Sequence, residues 1–71
     1  MTLDQLMESW KSMINSFTPC REQFALWLCT HDDDTVRYGI RETAKKFLRD
    51  GKMTDDHLVR YASAVMNNRT Q

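Results

Sequence analysis

Residues 34–51 read DTVRYGIRETAKKFLRDG, and this stretch decides the fold class. Val36, Ile40, Ala44, Phe47 and Leu48 recur at spacings of three and four, the period that places side chains on one face of an α-helix. The loop His31-Asp32-Asp33-Asp34 precedes them. Its carboxylates can cap the free N–H groups of a helix start and suit the positive end of its dipole. Gly51 follows, where a left-handed residue ends a helix. The stretch predicts a helix over 34–50 with a defined start and stop.

The same period runs outward in both directions. Thr2-Leu3-Asp4-Gln5 is a capping-box pattern. Leu3, Leu6, Met7, Trp10, Met13, Ile14 and Phe17 then form one stripe, which predicts a helix over 3–16. Pro19 suits the first turn of a second helix, over 19–30, with Cys20, Phe24, Trp27 and Leu28 as its stripe. Thr54 caps a fourth helix, over 55–67, with Asp55 and Asp56 in its first turn. Leu58, Tyr61, Ala62, Val65 and Met66 make its inner face, and Asn67 and Asn68 mark its end. The expected connections are about two to four residues long.

Composition agrees with an all-α fold, a small single domain of about four short amphipathic helices. The chain has 71 residues, 41% of them apolar, with two glycines and one proline. That is too few turn residues for a β-fold and too much apolar surface for a disordered chain. A chain this short buries only about 60% of its unfolded surface. Trp10, Phe24, Trp27 and Phe47 are expected to supply most of the core. No apolar run suggests a signal peptide or membrane span, so a cytoplasmic setting is expected.

The net charge is zero, ten cations against ten anions, but the halves differ. Residues 1–34 carry two cations against six anions, or −4, and residues 35–71 carry eight against four, or +4. Such asymmetry points to a polyanionic partner. Arg37, Arg41, Lys45 and Arg49 stand at four-residue intervals, so they form one stripe along the third helix, with Tyr38 in the same arc. Cations follow phosphates and a ring stacks on a base, which is what single-stranded nucleic acid requires. A solvated helix face with Glu42 paired to Lys45 or Lys46 is the alternative.

Other chemistry finds little support. Cys20, Cys29, His31 and His57 lack the short paired turns of zinc sites, and the cysteines are expected to pack as small apolar residues. Cys29 with His31 has no oxyanion site or water-excluding pocket to serve a nucleophile. Asp32, Asp33 and Asp34 lack the glycine and distal glutamate of a calcium loop. His57 is expected to be exposed. No enzyme activity, metal or cofactor is expected. A protein partner or homo-oligomer is the second expectation, through the opposed charges of the two halves. The methionines suit an adaptable contact surface, although Met7, Met13 and Met66 fit the core equally well.

Three pieces in order carry a resemblance: Phe24-Ala25-Leu26-Trp27-Leu28 ending a helix, an acidic turn into Asp34-Thr35-Val36-Arg37-Tyr38-Gly39-Ile40, and a helix from Thr54 through Tyr61 and Val65. Over roughly residues 10–69 the chain resembles the C-terminal helical domain of DnaD-like primosome and phage replication-initiation proteins. The family's tyrosine–isoleucine–tryptophan signature falls on Tyr61, Val65 and Arg69, with arginine in place of tryptophan, and Gly39 stands where alanine is usual. The resemblance implies a replication-associated role with DNA binding, oligomerisation or contact to a helicase-loading partner. It adds Arg60 and Arg69 to the candidate contacts. No counterpart of the family's winged-helix domain is seen, which suggests a stand-alone or accessory protein.

Overall fold

Thr2 opens the first helix with both halves of the capping box. Its Oγ1 accepts the Gln5 N–H at 3.2 Å, and Gln5 Oε1 accepts the Thr2 N–H at 3.0 Å. The computed structural model describes residues 2–15 and 17–70. Among these residues the elements are α1 (Leu3–Met13), α2 (Arg21–Thr30), α3 (Asp33–Asp50) and α4 (Asp55–Thr70), with no strand. The fold is all-α.

Helix α1 is shorter than the expected 3–16. Ile14 is extended, with φ −128° and ψ 96°, and its side chain is fully buried. Ser16 lies outside the described residues. One contact and one steric restriction account for the early stop. The Trp10 indole N–H donates to the Phe17 carbonyl, which draws the chain back across α1. Pro19 also disfavours helical backbone at Thr18. The α1–α2 connection is therefore longer than two to four residues. Pro19 lies just before the N-cap Cys20 rather than inside α2, and it is buried.

Asp32 is the N-cap of α3, its Oδ1 accepting the Thr35 N–H at 2.8 Å. Hydrogen bonds from the Thr35 side chain and then its backbone hold the Asp32 carboxyl below the ordinary range. Gly51 ends α3 at φ 74°, the left-handed conformation. Thr54 Oγ1 accepts the His57 N–H at 3.1 Å and starts α4. Helix α4 runs past Asn67 and Asn68 to Thr70. Two asparagines lower helix propensity by only a few tenths of a kcal/mol each, which is too little to end a helix held by packing.

The core is Leu6, Trp10, Ile14, Phe24, Trp27, Val36, Ile40, Ala44, Leu58, Ala62 and Met66. Trp10 and Trp27 are stacked at 5.8 Å, and Phe24 meets both edge-on at 5.9 and 5.6 Å. Each such pair adds about 0.5–1.5 kcal/mol beyond its buried area. The Trp27 indole N–H donates to Ser63 Oγ at 3.0 Å, tying α2 to α4.

Helices α3 and α4 approach closely at Gly39. A Cβ there would lie 2.5 Å from Met66 Cγ and 2.8 Å from its Cε. One turn on, the buried Thr43 hydroxyl donates to the Gly39 carbonyl at 2.7 Å. Five apolar assignments change, among them Tyr61 and Val65 of the expected α4 inner face, which are half-buried outside the core. Phe47 is half-buried at the core's edge, and Leu48 is 76% exposed. Leu48 lies about 100° round the helix from Phe47, which turns it to solvent. Met13, at the last turn of α1, is 43% exposed. Cys20 and Cys29 are both free and exposed rather than packed. Cys20 sits outside the helix as its N-cap, and Cys29 lies about 200° round from Trp27.

Candidate nucleic-acid interface

The α3 surface away from the core carries the predicted stripe. Arg37, Arg41, Lys45 and Arg49 are all exposed. At 100° and 1.5 Å per residue they span an arc of about 120° and a length of about 18 Å. They form a continuous cationic crest.

The crest divides by pairing. Lys45 Nζ lies 3.1 Å from Glu42 Oε2, and Arg49 Nε lies 3.3 Å from Asp50 Oδ1. Asp50 also holds Lys46 Nζ at 2.9 Å, and these hydrogen bonds lower its carboxyl below the ordinary range. Arg37 and Arg41 have no acidic partner among the described residues. Exposed pairs like Lys45–Glu42 contribute about 0–1 kcal/mol, so a polyanion can displace them readily.

Grooves flank the crest on both sides. Between α3 and α4 lies one of about 340 Å³, lined by Tyr38, Glu42, Tyr61, Val65, Asn68 and Arg69. Tyr38 is half-buried there, with the Arg69 guanidinium 4.7 Å from its ring centre. Lys46 Nζ sits 5.3 Å from the Tyr61 ring. The fold thus joins Tyr38 to Arg69 across 31 positions of sequence. Between α1 and α3 lies a groove of about 300 Å³, lined by Gln5, Ser9, Met13, Arg37, Ile40 and Arg41.

Arg60 does not join this assembly. It lies about 100° round α4 from Tyr61, and its Nε pairs with Asp56 Oδ2 at 3.0 Å. Tyr61 lines the α3/α4 groove and Lys46 sits over its ring, although the stripe marked neither. The four-residue spacing of Tyr61, Val65 and Arg69 was the available signal for the first. Gln5 and Ser9 come from a distant helix, and no local pattern announces them.

Among the described residues no three His, Cys, Asp or Glu side chains gather as a metal site. No helix among them is long and apolar enough to cross a membrane. Compared with protein families, curated proteins and solved structures, the chain matches none.

Proposed function

We propose that this chain is a small non-enzymatic module that binds nucleic acid weakly and without sequence preference. The observation that carries the reading is the exposed row Arg37, Arg41, Lys45 and Arg49 on one helix face, with the Tyr38–Arg69 pair beside it. The cations would neutralise successive phosphates, and the tyrosine groove would offer a base an aromatic face. Arg60 stands apart as an outlying contact. The resemblance to DnaD-like domains supplies the setting, replication in the cytoplasm, where two free thiols stay reduced.

A gel shift on single- and double-stranded DNA at low salt tests this. Binding should weaken as salt rises, with a slope set by the number of phosphates neutralised. Replacing Lys45 and Arg49 by alanine should lower both the affinity and the slope. Absence of any shift at high micromolar protein would refute the reading.

The alternative is a protein-interaction or self-associating module without nucleic-acid contact. The exposed Met13, Leu26 and Leu48 favour it, because apolar groups at a surface gain from being covered. Light scattering at two salt concentrations separates the cases: a monomer under both conditions removes self-association.

A further inference from the structure

We infer that the groove between α1 and α3 is a docking site for an acidic amphipathic helix of a protein partner. It does not rest on the nucleic-acid reading, and a chain that never touches DNA would still satisfy it. Arg37 and Arg41 line this groove, and among the described residues neither has an acidic partner. Every other cation of α3 is paired with Glu42 or Asp50. The two guanidiniums stand one helical turn apart, about 6 Å along the axis. Carboxylates four residues apart on a partner helix have the same spacing, and each arginine fork takes one of them bidentately.

The apolar surroundings select the kind of anion. Ile40 floors the groove, and Met13 stands 43% exposed at its rim. Leu48, 76% exposed, lies seven residues beyond Arg41 on the same face of α3. A phosphate backbone would leave the exposed Met13 and Leu48 in water, and this groove offers no ring to a base. An amphipathic helix covers them with its own apolar residues while its acids meet the arginines. The Ser9 hydroxyl and the Gln5 side chain add polar groups at the edge. A second copy of this chain is the competing occupant, because its own Asp4 and Glu8 stand exposed one turn apart on α1, and the Asp4–Arg21 pair at 3.1 Å is exposed and readily displaced.

The probe is a synthetic alanine-based helix with two glutamates one turn apart and two leucines on the same face. Binding is read by fluorescence anisotropy, and its location by amide chemical-shift mapping of the full chain. The expected result is binding that shifts Ser9, Met13, Ile40 and Arg41. Affinity should fall at least tenfold when the peptide's glutamates become glutamines, and several-fold when its leucines become alanines. The variant Arg37→Glu with Arg41→Glu should lose the peptide but regain binding to a version with lysines for glutamates. Circular dichroism verifies that this surface variant is folded. Equal binding of the glutamine peptide, or no shifts in the groove, overturns the inference. So does a single-stranded oligonucleotide that shifts the α1 residues Ser9 and Met13 more strongly than the peptide does, or self-association of the free chain through them.

Discussion

Replacing Gly39 by alanine tests how closely α3 and α4 are apposed. Alanine in a helix interior is favoured over glycine by about 1 kcal/mol. Against this, the new methyl would lie 2.5 Å from Met66 Cγ and 2.8 Å from Cε, in a side chain with no solvent exposure. Adding a methyl to a packed core costs about 1–3 kcal/mol. Gly39→Ala should therefore destabilise the chain by about 0–2 kcal/mol. In a Met66→Ala background the obstructing atoms are gone, and the next nearest atom, the Ala62 carbonyl oxygen, lies at 3.4 Å. There the same substitution should stabilise by about 1 kcal/mol, which gives a coupling of about 1–3 kcal/mol. Urea denaturation followed by circular dichroism measures all four corners of the cycle. Met66→Ala alone costs about 2–5 kcal/mol, so an osmolyte can extend its folded baseline. Stabilisation by Gly39→Ala in the wild-type background, or simple additivity, would refute the close approach.

Trp27→Ala should cost about 3–5 kcal/mol, because it removes two aromatic contacts and the Ser63 hydrogen bond; an unchanged melting midpoint would contradict the core described above. Leu48→Gln should change stability by less than about 0.5 kcal/mol, since Leu48 is 76% exposed, and a urea midpoint moved well beyond that would show it is buried. Both Asp32 and Asp50 have carboxyls lowered by hydrogen bonds. Their contribution is therefore present above the ordinary aspartate value near 3.9 and is lost as pH falls through their lower folded values. Asp32→Asn should make the acid limb of the stability–pH curve shallower, and an unchanged limb would count against the Thr35 cap.

The starts of α1, α3 and α4 and the stop of α3 were the most legible features of the sequence. Thr2 with Gln5, Asp32, Gly51 and Thr54 are local devices whose partners lie within four residues. The end of α1 was hidden because its cause is not local. Ile14 and Phe17 continue the apolar period, yet an indole N–H seven residues back captures the Phe17 carbonyl. Leu48 fits the helical stripe as well as Phe47 does, and only the placement of neighbouring helices decides which is covered. The cationic crest could be read from spacing alone. Which cations are engaged could not, since Arg69 reaches Tyr38 from another helix.

The stacking of Trp10 on Trp27, at 5.8 Å and 27° between planes, also makes the chain its own optical gauge. Indoles this close couple as an exciton pair, whose circular dichroism bands depend on separation and mutual angle. Trp10 rides on α1 and Trp27 on α2, so the signal measures the docking of those two helices without a label. Neither ring lines the grooves beside α3. A ligand on the crest should leave the couplet intact, while a perturbation that loosens the core should abolish it, and one spectrum distinguishes occupancy from unfolding.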